Sequence, residues 1–363
     1  MSKKNVLEDF LKDYLDRSLR LRFDICTCVD CRARMTELIL KRVPAVFVDT
    51  DDPDYESKKN AAAKDNIRRT FDATNKVIEE VSLSGAHAGD ADKEKAFDDL
   101  IERIKETRGI DFSSYHRGIL KRRLALRLAA TKCDSYVKYL KVLAGDPHEY
   151  DRLFDELTIN VSEFFRDLEM WEKLKNIIGR LAADKKGRDQ AVTVWSAACA
   201  GGEEPYSIAM TTRISGLGSA QVKILATDID RQAIKAAMAG VYKSEKLIKV
   251  ISKVRALMGC DIRDYFSPCG QDLHLAADIK AMVDFQWHDL VTSEYPTNSD
   301  IILCRNVFIY FTKPLQERVL DRFYRVLNNN GFLIIGKSET LAPEARVVFR
   351  EFDIENKIYQ KIG

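Results

Sequence analysis

The chain has 363 residues, which at roughly 150 residues per domain predicts two or three domains. Hydrophobic residues make up 45%, enough for packed cores and too many for a disordered chain. Lys plus Arg total 58 and Asp plus Glu 56; the resulting net charge of +2 excludes a globally basic nucleic-acid binder and leaves room for local patches.

Val6, Phe10, Tyr14 and Leu15 recur at helical spacing and predict a first amphipathic helix. Cys26, Cys28 and Cys31 follow as a tight cluster. Met35, Leu38, Ile39 and Val43 predict a second helix stopped by Pro44, residues 45–48 a short strand or extended arm, and residues 49–60 a loop containing Pro53. Ile67, Phe71, Thr74, Val77, Ile78 and Val81 mark a third helix. Gly85, Gly89 and their small neighbours suit a linker. The expected organisation is therefore an N-terminal, mainly α domain over 1–84, a linker over 85–93 and a helical subdomain over 94–170. Breaks in the helical subdomain are expected near 109–113 and 145–147.

From residue 171 the texture changes. Apolar runs at 192–198, 222–226, 301–304 and 332–335 alternate with helical patterns, which predicts an α/β region with a mostly parallel sheet covered by helices. Residues 241–289 interrupt the alternation, and Leu273, Leu275, Ile279, Val283 and Phe285 read as short strands of an inserted unit, about 243–288. There is no apolar run of about 18 residues and no secretory pattern, so neither membrane insertion nor export is expected. Eight cysteines in this length do not make a disulfide scaffold. A reducing cytoplasm is expected, with thiols free or metal-bound.

Three strand ends carry chemistry. The first runs into Ala198-Cys-Ala-Gly-Gly-Glu-Glu-Pro-Tyr-Ser207, with Pro205 placed to start a helix. Such a strand–loop–helix unit suits a nucleotide-like ligand, yet the dinucleotide spacing Gly-X-Gly-X-X-Gly is absent. Glu203 and Glu204 would repel a phosphate and suit a cationic or hydroxyl-rich ligand; S-adenosylmethionine is both and has no phosphate. The second strand ends at Asp228-Ile-Asp230, where an acid is placed to accept from ribose hydroxyls; Asp230 also fits a helix N-cap. The third ends at Arg305-Asn306.

The segment from about residue 97 to the end resembles the CheR family of chemotaxis receptor methyltransferases. The resemblance rests on Leu157-Thr-Ile-Asn-Val-Ser-Glu-Phe-Phe-Arg-Asp167, Gly202-Glu-Glu-Pro-Tyr-Ser207, Ala226-Thr-Asp-Ile-Asp230, Cys304-Arg-Asn-Val-Phe-Ile-Tyr310-Phe and Gly336-Lys-Ser-Glu339. It implies a Rossmann-like S-adenosylmethionine-dependent methyltransferase sheet with a small inserted β-subdomain, and methyl transfer to glutamate side chains of chemotaxis receptors. It further implies cofactor contacts at Asn160, Ser162, Arg166, Glu203, Asp228, Asp289, Leu290, Arg305 and Asn306, with Arg166 and Tyr310 nearest the chemistry. Three positions depart from the family pattern: Gly201 stands where a small hydroxyl residue is common, Asp289 replaces Asn, and Lys337 replaces a frequent His. Asp289 would add negative charge beside the adenine or ribose.

Arg117, Lys121, Arg122, Arg123 and Arg127 form a one-sided basic run with no acid between Phe112 and Cys133. Such a run is ordinarily a solvated face; the family resemblance implies contact with the acidic methylation region of receptors. The inserted unit matches a β-subdomain that in some members tethers a receptor peptide, and it reads equally as a structural insertion.

The first 84 residues resemble the late competence ComFB-like family, through Val6-Leu-Glu-Asp-Phe10, the cysteine cluster, Leu38-Ile-Leu-Lys-Arg-Val-Pro44 and the segment to Val48. That resemblance implies zinc at Cys26, Cys28 and Cys31, a cyclic dinucleotide ligand served by Arg32, Arg34, Lys41 and Arg42, and a homodimer. Three thiols are one short of a closed zinc site, and buried structural thiols fit the same spacing. Two rival functions stand beside receptor methylation: a methyltransferase for another protein or a small molecule, and a sensor of S-adenosylmethionine or a cyclic dinucleotide with little catalysis.

Overall fold

In the computed structural model the described residues are 3–19, 29–50, 52–83, 88–158, 160–188, 190–341 and 343–362. The chain divides into two compact units, Met1–Gly109 with Arg117–Leu157, and Ile110–His116 with Thr158–Gly363.

In the first unit, strand β1 (Lys3–Asn5) pairs antiparallel with β2 (Phe47–Asp49). Helices α1 (Val6–Leu19), α2 (Val29–Leu40) and α3 (Tyr55–Leu83) pack together. Leu7, Leu11 and Leu15 recur every four residues on α1 and meet Met35, Ile39, Val77 and Ile78 in a common core with Cys31. Helix α3 begins earlier than the predicted loop end: Asp52 accepts from the Asp54 amide at 2.8 Å and pairs with Lys58 at 2.5 Å, and this turn starts the helix directly after Pro53. Phe71, expected on the apolar face, is 51% exposed beside Tyr14. Residues 84–87 lie outside the described residues. Helix α4 (Ala88–Arg108) already covers 88–93, two thirds of the stretch expected as linker.

Helices α5 (Arg117–Ala130), α6 (Tyr136–Gly145) and α7 (Pro147–Leu157) complete the unit. Ser135 caps α6 by accepting from the Lys138 amide. Glu149 on α7, only 2% exposed, is the polar centre of these helices. Arg127 donates to both its oxygens at 2.8 Å, Tyr139 donates its hydroxyl at 2.8 Å, and Arg152 adds a bond at 3.2 Å.

The second unit is a seven-stranded sheet covered on both faces. Its strands are β3 (Val192–Ala197), β4 (Val222–Asp228), β8 (Val283–Trp287), β9 (Ser299–Cys304), β10 (Leu327–Ile335), β11 (Phe349–Asp353) and β12 (Ile358–Lys361). The spatial order is β11-β12-β10-β9-β3-β4-β8. Neighbours from β10 to β8 are parallel, and β12 runs antiparallel. Alternate residues feed two cores. Val194, Ile224, Ile301 and Leu303 pack with Trp171 and Ile178 of α8 (Leu168–Lys185); Trp195, Ile302, Cys304 and Leu333 pack with Leu315, Val319 and Phe323 of α13 (Lys313–Val326). Burial on both faces is why these strands read as continuous apolar runs. The order turns back between β3 and β9, so the crevice beyond their carboxyl ends is the position where such sheets bind ligands.

The insertion is a three-stranded antiparallel sheet, β5 (Val241–Lys243), β7 (Asp272–Leu275) and β6 (Phe266–Cys269), with helix α11 (Glu245–Met258). Two expectations change here. Val283 and Phe285 lie not in the insertion but in β8, paired in parallel with β4, and Ile279 is helical in Ala277–Lys280.

Glu149→Ala is expected to destabilise the first unit by about 3–5 kcal/mol, because Arg127 and the Tyr139 hydroxyl would be left buried without their acceptor. Urea unfolding followed by circular dichroism measures it; a cost below about 1 kcal/mol would show that the network is solvated.

Candidate functional site

The site is built at the carboxyl ends of β3, β4 and β9. The loop 198–202 turns from β3 into α9 (Glu203–Ile214) through positive φ angles at Ala198 (62°), Ala200 (46°) and Gly202 (88°). Phe165 (51°), Asp167 (56°) and Asn306 (62°) share this backbone conformation. Each such non-glycine residue costs on the order of 1–3 kcal/mol, and strain of this kind gathers where a loop must present its groups in one arrangement.

Four acidic side chains, Asp228, Asp230, Glu203 and Glu204, gather at these strand ends. Asp228, 6% exposed, accepts from the Ala200 amide and the Asp230 amide, both at 2.8 Å. Asp230 caps α10 (Arg231–Ala239) by accepting from the Gln232 and Ala233 amides, and its other oxygen accepts from Asn160 at 2.6 Å and Thr158 at 3.1 Å. It therefore holds the segment that precedes Ser162 and Arg166. Glu204 accepts from Ser196 at 2.8 Å and Arg305 at 3.4 Å; burial still pushes its carboxyl up, against the pull of Arg305. Glu203 is fully buried: one oxygen pairs with Lys246 of α11, and the other has no hydrogen-bond partner.

Arg305 ties the start of α9 to the segment 166–167. Its guanidinium reaches Asp167 at 2.5 Å and the Arg166 carbonyl at 3.0 Å in addition to Glu204, so it clamps residues 166–167 over the end of β9. The Arg166 side chain is half-buried and lies near enough to Glu204 to favour its ionised form, without a hydrogen bond or ion pair among the described residues. Ser162 is also half-buried. Asn306 donates its amide to Glu339 at 3.0 Å, and its side-chain oxygen is buried with no partner. Tyr310 is half-buried on the turn Phe308–Tyr310 and offers its carbonyl to the His116 amide.

Asp289 behaves differently from its sequence reading. Its oxygens accept from the Val291 amide at 2.8 Å and the Thr292 hydroxyl at 2.7 Å, so it fastens its own loop. Leu290 beside it is 7% exposed and gives its carbonyl to the Tyr295 hydroxyl.

Three residues were not singled out from the sequence. Glu339, 4% exposed, accepts from the Gly336 amide at 2.6 Å as well as that of Asn306; a Cβ at Gly336 would come within 2.7 Å of its oxygen. Tyr115 packs edge-on against Phe311 at 5.0 Å; the surrounding protein, then Asp289 and Asp228, push its phenol up. Lys246 is the third. Glu339 lay within a stretch noted for its family pattern and Tyr115 at the start of the basic stretch.

The remaining sequence candidates lie elsewhere. On α5, Arg117 pairs with Glu94 and Asp98, Lys121 with Glu94, Arg123 with Glu156 and Arg127 with Glu149. Arg122 is exposed and makes no ion pair among the described residues, so the basic run is largely neutralised by its own unit. Cys26 and Cys28 fall outside the described residues, while Cys31 is buried in the α1–α3 core. Among the described residues no group of His, Cys, Asp and Glu side chains is arranged for a metal, and no helix is long and apolar enough to cross a membrane. Arg32, Lys41 and Arg42 already pair with Asp16, Glu37 and Glu80.

The site's acceptors fit a ligand rich in hydroxyl and cationic groups. Glu203 has a buried acceptor with nothing to accept, and a Cβ at Gly201 would sit 2.8 Å from it.

Burial raises the Asp228 carboxyl to about 6. A carboxyl raised in the folded state contributes stability that is fully present below its unfolded value near 3.9 and is lost as pH rises through about 6. Melting curves between pH 4 and 7.5 are expected to show this loss, up to about 3 kcal/mol, and Asp228→Asn is expected to remove it. An unchanged slope in the variant would assign the loss to another group.

Two family descriptions match the chain: "CheR methyltransferase, all-alpha domain" over residues 95–158 and "CheR methyltransferase, SAM binding domain" over residues 160–358. A chemotaxis protein methyltransferase of Listeria innocua is 34% identical over 255 residues, covering 70% of this chain and 93% of the relative. Those of Klebsiella aerogenes and Escherichia coli are 32% and 30% identical, covering 77% and 73% of this chain and 91% and 88% of theirs.

Proposed function

This chain belongs to the CheR family of S-adenosylmethionine-dependent methyltransferases, and on that premise we propose that it methylates glutamate side chains of methyl-accepting chemotaxis receptors. The observation that carries the reading is the buried, partner-free oxygen of Glu203 beside Asp228 at the switch point of the sheet. When bound, S-adenosylmethionine supplies an electrophilic methyl group on a sulfonium.

The protein's own residues have a limited task. Glu203 and Asp228 accept hydrogen bonds from amino and hydroxyl groups of the cofactor, and the unpaired side-chain oxygen of Asn306 is a further acceptor. Asn160 acts as a positioning residue, since its bond goes to Asp230; Arg305 and Glu339 position neighbouring groups and each keeps one buried polar atom without a partner, Nε and one carboxylate oxygen. Asp289 shapes the loop that presents Leu290. A substrate glutamate is ionised at neutral pH, so no general base is required and no catalytic His or Cys is needed. What remains is alignment and exclusion of water. Arg166, with an unengaged guanidinium, is suited to hold a carboxylate, and Tyr310 to line its approach.

Receptor recognition by α5 is supported by the family resemblance and by exposed Arg122; Arg117, Lys121, Arg123 and Arg127 would have to exchange intramolecular partners to take part. A regulatory role for residues 1–84, with zinc, a cyclic dinucleotide or a second copy as partner, is supported by sequence resemblance alone.

Transfer of labelled methyl groups to receptor-containing membranes of the source cell tests the reading, with base-labile label as the expected product. Arg305→Ala is expected to weaken S-adenosylhomocysteine binding by on the order of a hundredfold, since it removes several charge-assisted hydrogen bonds around the site. A protein that binds S-adenosylhomocysteine normally but labels no receptor would sink receptor methylation and leave another substrate or a sensing role.

A further inference from the structure

Two polar contacts join the insertion to the loop 198–202 and the first residue of α9. Tyr242 of β5, 5% exposed, donates its hydroxyl to the Gly201 carbonyl at 2.8 Å. One turn into α11, Lys246 pairs with Glu203, and its ammonium lies 5.8 Å from the centre of the Tyr242 ring. The two partners are unequal: the Glu203 side chain is 1% exposed and that of Lys246 46% exposed. The carboxylate is thus fixed inside, while the ammonium rides on a flexible stem that can swing into water.

A buried carboxylate favours one cation strongly and a second much less, because two ammonium groups on the same carboxylate repel each other in a poorly solvated place. Glu203 has one oxygen engaged by Lys246 and one with no partner. We propose that Lys246 is an internal competitor for the amino group of the cofactor: it neutralises Glu203 in the empty enzyme, is displaced when the ligand cation arrives, and thereby lowers cofactor affinity and couples the insertion to occupancy of the site. The proposal rests on the reading of Glu203 as a cofactor contact. Departure of Lys246 removes the ion pair between the first turn of α11 and α9, while the Tyr242–Gly201 hydrogen bond still ties the insertion to the loop.

Calorimetry with S-adenosylhomocysteine on the full chain tests this without turnover. Lys246→Met is expected to tighten binding about fivefold to tenfold, the loss of one competing charge-assisted bond, while Lys246→Arg stays within about twofold of the unchanged protein. The Met variant is expected to melt lower when empty and to show the larger ligand-induced rise, which a merely structural lysine would not produce. In the unchanged protein, amine acylation followed by mass spectrometry is expected to show Lys246 more reactive with S-adenosylhomocysteine than without it. Equal or weaker binding by Lys246→Met, or protection of Lys246 by the ligand, would overturn the proposal. Absence of binding in the unchanged protein would instead remove the cofactor reading itself, and the proposal with it.

Discussion

The second unit is organised around carboxylates buried where parallel strands end. Glu203, Asp228, Asp230, Asp289 and Glu339 are all less than 9% exposed. An isolated buried carboxylate would be prohibitively costly, so each must be matched by donors. The structure supplies them mainly from backbone amides: Ala200 and Asp230 for Asp228, Gln232 and Ala233 for Asp230, Val291 for Asp289, Asn306 and Gly336 for Glu339. Loops from different strands are thereby fixed to one another by charge.

The positive-φ residues follow from the same demand. To aim an amide at Asp228, the chain after β3 must reverse within a few residues, and Ala198 and Ala200 take left-handed backbone to do so. Arg305 supplies the positive charge the cluster needs and spends its donors on Glu204, Asp167 and a carbonyl. Among the described residues, one oxygen each of Glu203, Asn306 and Glu339 and the Nε of Arg305 are left without a partner, and these are groups a ligand can use. A site made this way selects against phosphate by charge, which agrees with a family whose cofactor carries a sulfonium and an amino group.

Helix α5 shows why a charge run is a weak guide by itself. Its basic residues are consecutive in sequence with no acid among them, yet Glu94 and Asp98 come from α4 and Glu149 and Glu156 from α7. Partners some twenty or thirty residues away cannot be paired by inspection. The same limit applies to Asp289, whose family position suggests a ligand contact while its carboxylate is consumed by Val291 and Thr292 next door.

The alternating apolar runs, the acid-bearing turn after 197, Asp228 at a strand end and the helical breaks near 109 and 145 were legible because they depend on spacing and on residue type, both local. Helix α11 was not read, although Leu247, Ile251, Val254 and Met258 stand at helical spacing, because the short strands around it set the reading of the whole insertion. By itself, then, the sequence determined the fold class, the family and the acidic character of the site. Only the tertiary structure decided which carboxylates stay free for a ligand, that Val283–Trp287 extends the main sheet, that Glu339 braces Asn306, and that Lys246 reaches Glu203 across the insertion. Each of these depends on donors and acceptors from distant parts of the chain meeting in a low-dielectric interior, and no periodicity records such a meeting.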